Sequence, residues 1–341
     1  MKKLLLVIAV AVFATTVFLS CKDSNPVERI VSLYRDGKIS EDSLVTFVTD
    51  SANYNRIAEW AKANSDKDNM ADFLLGISCE YGHGVDKNMG MAKAYLIKAA
   101  NGKLPIAMRE LGYLYETYPG HENTDSAMYW YLKAAEAGDS NGYSCAAGLK
   151  FRIATNNQTP LDTTGILKLL QKGVELESPK CTSILAWNYY TGYLTQQDKK
   201  KTFDLLSLPA EDNLNGLGLY LLGELYESGE GGAKQSFTTA YKLFKKAADK
   251  YKYPDAICAV GYYLQLGRGG VEQNDSLAFI EFSKAANEGS RWGMRCVGYS
   301  YVTGHGVEQD IAKGNNWYIE AAKNGDTVAI EYCEQHNLDY K

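Results

Sequence analysis

The sequence has 341 residues, of which 45% are hydrophobic and only 7 are proline. This composition supplies enough apolar material for a continuous core and excludes a disordered chain. The formal charge is −5, and it becomes −7 when a leader that carries Lys2 and Lys3 is removed. A negatively charged chain without a long basic run excludes nucleic acid as an expected partner.

The N-terminus has the pattern of an export signal. The basic pair Lys2-Lys3 precedes an apolar stretch over residues 4–19, after which the sequence turns polar. This stretch is at the short end for a helix that crosses about 30 Å of hydrocarbon. A cleavable signal peptide over residues 1–20 is therefore favoured over a transmembrane anchor.

The segment Phe18-Leu19-Ser20-Cys21 resembles a bacterial lipobox, although Phe18 stands where leucine is usual. In a lipobox the cysteine becomes the first mature residue and carries acyl chains. Each buried CH₂ of such chains contributes about 0.8 kcal/mol, so two or three chains anchor a protein without a spanning helix. The resemblance implies lipidation at Cys21, a tether over residues 21–28 and a place in the cell envelope, with the outer membrane preferred and its face left open.

The next stretch, residues 29–69, is helical in pattern, and residues 58–64 within it look like a degenerate second helix. Terminal repeats are expected to be atypical because one face meets water. Residues 29–69 are therefore predicted to cap the array that follows.

One glycine then recurs along the chain. Successive anchors are 36, 36, 38, 37, 38 and 37 residues apart, with alanine in the fourth unit. Six residues after the anchor comes a turn residue, which is glycine in most units, and an alanine pair follows in all units but the third and fourth. The anchors are Gly76, Gly112, Gly148, Ala186, Gly223, Gly261 and Gly298.

Each unit is predicted to form two helices. The first has apolar residues at helical spacing and stops at the turn glycine. The second starts at an Asp or Ser cap, as at Asp275, and ends in the alanine pair. Small residues allow helix axes to approach to the low end of the usual 8 to 10 Å, so the anchor glycine and the alanine pair are expected to mark the close crossing.

This pattern resembles the Sel1-like repeat, a relative of the tetratricopeptide repeat. Residues 222–229 (Leu-Gly-Glu-Leu-Tyr-Glu-Ser-Gly) and 241–248 (Tyr-Lys-Leu-Phe-Lys-Lys-Ala-Ala) match its two helices closely. The resemblance implies an all-α, right-handed α/α solenoid of about seven helix pairs over residues 70–333, before a tail at 334–341. Units three and four depart from the pattern, which leaves their register open. The expected units are 70–107, 108–143, 144–181, 182–218, 219–256, 257–293 and 294–333.

The cysteines that follow Cys21 leave two interpretations open. Export permits disulfides, but the regular cysteine pair that staples each repeat in some Sel1-like relatives is absent. Buried free thiols that act as small hydrophobes are favoured, with Cys296 to Cys333 as the least unfavourable bridge. The six residues are Cys79, Cys145, Cys181, Cys258, Cys296 and Cys333.

No catalytic constellation stands out. Cys79 and His83 have i, i+4 spacing, but the helix is expected to end at Gly82 and no second ligand pair is in view. The loop at residues 267–270 follows a helix and lacks the Lys-Ser/Thr of a P-loop. We therefore expect no metal, no cofactor and no enzymatic activity.

An Asp-Ser or Asp-Thr pair recurs near the expected helix starts. It resembles an O-glycosylation acceptor of some envelope-bearing bacteria, but helix capping is the favoured interpretation. The pairs are Asp42-Ser43, Asp125-Ser126, Asp162-Thr163 and Asp275-Ser276.

A partner surface is expected on the first helices, which line the concave groove in the related tetratricopeptide arrays. Anchor positions −3, +1 and +4 share one helical face and are rich in Tyr, Trp and Arg, the types that dominate binding hot spots. Packing between repeats is an equally weighted alternative for the tyrosines. The candidates are Arg109, Tyr113, Glu116, Trp187, Tyr190, Tyr220, Glu224, Glu227, Tyr262, Gln265, Arg295 and Tyr299.

The sequence therefore predicts a monomeric, non-enzymatic adaptor that is tethered in the envelope and binds a protein or peptide on its concave face. A binder of peptidoglycan or another glycan, with the aromatic stripe stacked on sugars, is one alternative. A relative of penicillin-binding or β-lactam-hydrolysing proteins is a weaker one, because no Ser-x-x-Lys with its partner motifs is present.

Overall fold

A computed structural model describes residues 25–118 and 122–341, except for the side chain of Asp42. All regular secondary structure in these residues is helical, which confirms the predicted all-α class. None of the described helices is both long and apolar enough to cross a membrane. The predicted signal peptide and the lipidation site Cys21 lie outside the described residues.

Three helices and one 3₁₀ turn precede the repeats. The first helix begins at Pro26, because Asn25 accepts a hydrogen bond from the backbone N–H of Val27 at 3.0 Å and proline suits a first turn. Residues 26–28, which the sequence assigned to the tether, thus belong to this helix. The elements are α1 (Pro26–Arg35), α2 (Glu41–Thr49), the 3₁₀ helix Ser51–Asn53 and α3 (Tyr54–Asn64).

Helix pairs follow through the rest of the described chain. Each pair begins one to three residues before the corresponding predicted unit. A side-chain cap starts some first helices, such as Asp68 at α4, and a proline stands at the start of others, such as Pro105 at α6. The pairs are α4 (Asn69–Tyr81) with α5 (Met89–Asn101), α6 (Pro105–Thr117) with α7 (Thr124–Glu136), α10 (Pro179–Thr191) with α11 (Lys199–Ser207), α12 (Gly216–Ser228) with α13 (Phe237–Tyr251), α14 (Pro254–Leu266) with α15 (Asp275–Asn287), and α16 (Arg291–Thr303) with α17 (Ile311–Lys323), before α18 (Thr327–Gln335). The helices α8 (Gly142–Asn156) and α9 (Thr163–Glu175) lie between α7 and α10 along the chain.

The helices group into two compact units, one up to Leu149 and one over residues 150–341. In the first unit a single core extends from Val27 in α1 to Ala134 in α7. In the second unit successive cores lie between neighbouring helices, from Ala186 in α10 to Cys333 in α18. Stacking of helix pairs, and not burial around one centre, therefore builds each unit.

The first helices have nearly uniform ends. Six of the seven are 13 residues long, and five of these end at the turn glycine in the left-handed conformation, with φ between 61° and 79°. Tyr118 ends α6 without this conformation. The loop that starts at Gly267 is such a helix end, as the sequence predicts.

The predicted Asp or Ser cap is confirmed at four second helices, which are capped by Asp162, Asp198, Ser236 and Asp310, and the other three second helices have an Asn cap. Asn274 caps α15, because its Oδ1 accepts a hydrogen bond from the backbone N–H of Leu277 at 2.9 Å. Asn123 caps α7 in the same way, whereas Asp162 itself caps α9. Asp275 lies one residue past its cap, so its carboxylate is not used to start the helix.

Five anchor glycines lie against a large side chain from the second helix of their own pair, namely Gly76, Gly112, Gly223, Gly261 and Gly298. A Cβ atom at Gly112 would lie 2.7 Å from Cδ1 of Tyr131. The alanine pair makes a different contact, because a Cβ at Gly142, where the next first helix starts, would lie 2.6 Å from the backbone N of Ala135. The expectation that the anchor glycine and the alanine pair mark one shared crossing is corrected. The glycine allows the two helices of one pair to approach closely, and the alanines allow the next first helix to approach that pair closely.

The Gly112→Ala variant should lose about 1–3 kcal/mol of unfolding free energy, because its new methyl group meets the buried ring of Tyr131. Gly90→Ala is the matched control in the same unit, since its nearest contact would be Asn88 Oδ1 at 3.4 Å and alanine favours a helix. Urea unfolding followed by circular dichroism measures both variants. Equal losses would contradict the packing role of the anchor.

Candidate functional site

Ion pairs hold Arg109, a predicted partner-binding residue of the first unit. Its Nε donates to Oδ2 of Asp139 at 2.7 Å and its Nη1 to Oε1 of Glu110 at 3.0 Å. Its Nη2 pairs with Glu41 of α2, in the N-terminal cap, at 2.5 Å. The Arg109 side chain is only 14% exposed, because its partners within the same chain cover this part of the predicted binding surface.

The other two candidates of the first unit differ in exposure. Tyr113 is exposed, whereas Glu116 is half-buried and accepts a hydrogen bond from the Tyr131 hydroxyl at 2.6 Å. Because Tyr131 packs on the anchor Gly112, Glu116 supports the same close contact within the pair.

A second group of candidates packs together between α10 and α12. Tyr220 lies between the rings of Phe244 and Tyr253, with centroid distances of 5.6 and 5.4 Å. The Tyr190 hydroxyl donates to Oε2 of Glu224 at 3.5 Å. These side chains mainly fill the space between neighbouring repeats.

Burial in this group shifts the acidity of its members. It raises the pKa of Glu224 to about 7, and the neighbouring Glu227 adds to the rise. Burial likewise raises the pKa of Tyr190 to about 12, with Glu224 adding to the effect. Trp187, the fifth candidate here, is half-buried and has its ring centroid 5.6 Å from that of Tyr193.

The last four candidates line one groove in the second unit. Tyr262 and Gln265 come from α14, and Arg295 and Tyr299 come from α16. The groove has a volume of about 530 Å³. Residues three or four apart on each first helix share one face, so neighbouring first helices present these side chains to the same space.

Two aromatic pairs shape this groove. The rings of Tyr262 and Trp292 have centroids 6.2 Å apart, and those of Tyr299 and His305 are stacked at 5.6 Å. Tyr262 is 38% exposed and Tyr299 is 43% exposed. Rigid aromatic faces are therefore open to a partner along both first helices.

The groove also carries opposite charges. Arg295 donates from Nε to Oδ2 of Asp326 at 3.1 Å, and no described residue hydrogen-bonds its Nη groups. The Oδ1 atom of Asp275 is buried without a hydrogen-bond partner among the described residues. The site thus offers one guanidinium and one carboxylate to a bound segment.

Sequence reasoning missed several lining residues. Trp292 lies three residues before Arg295, so an i, i+3 extension of the stripe would have found it. His305 and Asp275 come from the turn and the second helix, and Val328 comes from α18. No rule based on one face of the first helices includes those three.

Cys79, Cys258, Cys296 and Cys333 are free thiols, and no group of three or more side chains in the described residues could hold a metal ion. The sulfurs of Cys258 and Cys296 lie 3.9 Å apart. The sequence favoured free thiols and gave Cys296 to Cys333 only as the least unfavourable bridge. Cys258 lies on the neighbouring first helix, α14, on the side that faces Cys296. Burial raises the pKa of the Cys258 thiol.

The repeats identify the family. The Sel1 repeat model matches residues 69–103, 105–139, 216–251, 254–290 and 294–326, just over half of the chain. The chain belongs to the Sel1 repeat family. The expected third and fourth Sel1 units lie between the second and third matches, yet their residues also form helices, namely α8, α9, α10 and α11.

Solved structures give the same result for the fold. A Sel1 repeat protein from Oxalobacter formigenes is 24% identical with a TM-score of 0.57, over 85% of this chain and 83% of that one. A protective antigen of uropathogenic Escherichia coli with an SLR fold is 22% identical with a TM-score of 0.46, over 81% of this chain and 66% of that one. The first similarity supports an α/α solenoid. A search of curated proteins finds no significant match.

The Glu224→Gln variant should be more stable than the wild type at pH 8, by about 2 kcal/mol. The folded-state pKa of Glu224, about 7, exceeds its ordinary value of 4.5. Protonated Glu224 therefore stabilises the folded state fully below about pH 4.5, and this stabilisation is lost as the pH rises through 7.

Urea unfolding at several pH values checks this expectation, and the difference between the two proteins should shrink from pH 7 towards pH 4.5. Glu272→Gln, at an exposed position of the same unit, controls for the loss of one negative charge. A stability difference that does not vary with pH would contradict the assigned shift.

Proposed function

We propose that this Sel1 repeat protein is a monomeric, non-enzymatic adaptor that binds a segment of another protein in the groove between α14 and α16. The observation that carries the proposal is that four residues chosen from repeat position alone, Tyr262, Gln265, Arg295 and Tyr299, line one groove. Sel1 repeats commonly serve as scaffolds for protein interactions, which supports the same function.

The size and lining of the groove fit a peptide segment. A volume of about 530 Å³ lies within the range of ligand sites, roughly 300–1,000 Å³. Exposed tyrosine rings supply large rigid contact area at low entropic cost, while Arg295 and Asp275 supply directional polar contacts. Such a mixture suits amino-acid side chains.

Glycan binding is the second candidate, because the exposed faces of Tyr262 and Tyr299 also suit stacking on sugar rings. Sedimentation with purified cell-wall sacculi tests it directly. Binding to sacculi that disappears in the Tyr262→Ala/Tyr299→Ala variant would favour this candidate over a protein partner.

The double variant Tyr262→Ala/Tyr299→Ala should weaken peptide binding by about tenfold or more, because it removes two aromatic contacts from the groove. Peptides selected from a random displayed library on the mature chain are the probes, and fluorescence anisotropy measures their affinity. Tyr129→Ala is the matched control, since Tyr129 is 53% exposed on α7 in the other unit. Failure to obtain any peptide that distinguishes these variants would contradict the proposed function.

We further propose that the chain is held in the bacterial envelope by acyl chains on Cys21, preferably at the outer membrane. The leader and the lipobox-like segment support this location.

The Cys21→Ser variant should lose incorporation of radiolabelled palmitate and move from the membrane fraction to the soluble fraction, because the lipobox-like segment no longer has a thiol to be acylated. Cys145→Ser, which keeps the lipobox-like segment intact, is the control. Retention of the label on Cys21→Ser would contradict acylation at this position.

A further inference from the structure

Two repeats contain the same arginine site. Arg109 and Arg295 each lie three residues before an anchor glycine, and the other five units have Phe73, Cys145, Ser183, Tyr220 and Cys258 at that position. Each arginine donates from Nε to an aspartate near the start of the next first helix, Asp139 at 2.7 Å and Asp326 at 3.1 Å.

The two aspartates are also held alike. Oδ1 of Asp139 accepts a hydrogen bond from the backbone N–H of Asn141 at 2.8 Å, and Oδ1 of Asp326 accepts one from Ala329 at 2.8 Å. The repeat therefore fixes each arginine through Nε in the same way, which leaves its Nη groups for other partners.

In the first compact unit, which contains Arg109, a segment from outside the repeats occupies this site. Glu41, at the start of α2, pairs with Nη2 of Arg109 at 2.5 Å. Tyr34 of α1 lies in the same surroundings, since burial raises its pKa and Glu41 and Asp139 add to the rise. The N-terminal cap thus supplies one carboxylate from α2 and one aromatic side chain from α1 near this arginine.

In the second compact unit, the Nη side of the corresponding arginine, Arg295, is open. Arg295 is 29% exposed, about twice the exposure of Arg109, and its Nη groups hydrogen-bond no described residue. The residue that follows it is Cys296, whereas Arg109 is followed by Glu110, which pairs with it. Arg295 therefore pairs with one carboxylate where Arg109 pairs with three.

We infer that the groove takes a protein segment that places an Asp or Glu side chain on the Nη groups of Arg295, as Glu41 does on Arg109. The same segment sets an aromatic or aliphatic side chain against Tyr262 and Tyr299. A guanidinium held at Nε presents its remaining N–H groups in a fixed direction, which suits a carboxylate better than an amide. This inference rests on the proposed function of the groove.

Asp275 restricts the choice further. Its carboxylate lies in the same groove, with Oδ1 unpartnered, and it repels a second acidic residue. The expected segment therefore carries one carboxylate beside apolar residues and is not a run of acidic residues.

Selection of random displayed peptides on the full mature chain tests this chemistry. The wild type should enrich one Asp or Glu at a fixed position beside aromatic or aliphatic residues. Arg295→Gln should lose that enrichment, and Arg295→Glu should replace it with Lys or Arg. Circular dichroism and thermal unfolding verify that each variant folds.

A selected peptide and its Glu→Gln version then provide a quantitative comparison. The wild type should bind the Gln version about tenfold more weakly, and Arg295→Gln should bind both versions equally. An acidic preference that persists in Arg295→Gln would overturn the inference.

The result can separate the inference from the function on which it rests. Peptides that depend on Tyr262 and Tyr299 but show no acidic preference would overturn the inference and leave the proposed function intact. If no peptide depends on those tyrosines, the proposed function itself fails.

Discussion

The close fit between a glycine on one helix and a large side chain on its partner is the contact on which every matched repeat depends. Gly76 faces Leu96, Gly112 faces Tyr131, and the same arrangement recurs at Gly223, Gly261 and Gly298 with aromatic partners. Because interiors are close-packed, this contact sets the distance and angle within each pair. It therefore determines which side chains of the first helix point away from the partner and remain for binding.

Much of the fold was predictable from residues that occur at fixed intervals. The anchor and turn glycines have a local physical role, so their spacing indicated two helices per unit without knowledge of any distant contact. The separate roles of the anchor and the alanine pair were not predictable, because spacing alone cannot say whether Ala135 faces its own pair or the next one. The Asp or Ser type of cap was predictable, but the cap of α15 was placed one residue late, because Asn274 and not Asp275 accepts the hydrogen bond from the backbone N–H of Leu277.

The candidate site was predictable in part. Tyr262 and Arg295 followed from their repeat positions. Whether Arg109 is available to a partner depends on its ion pair with Glu41, which is 68 residues away along the chain. Local pattern carries no information about such a contact. The same limit applies to Tyr220, whose repeat position matches that of Arg295 but whose ring packs against Tyr253.

Because the first helices are nearly uniform in length, the glycine and alanine contacts that stabilise the repeats lie at different positions from the turn residues at the edge of the groove. Six of the seven are 13 residues long, so differences in repeat length fall mostly outside them, in the turns and second helices. His305 and Gln273, at the edge of the groove, come from such turns. Substitutions there would change which side chains a bound segment meets while the glycine and alanine contacts between helices stay untouched, so a new binding preference would carry little cost in folding.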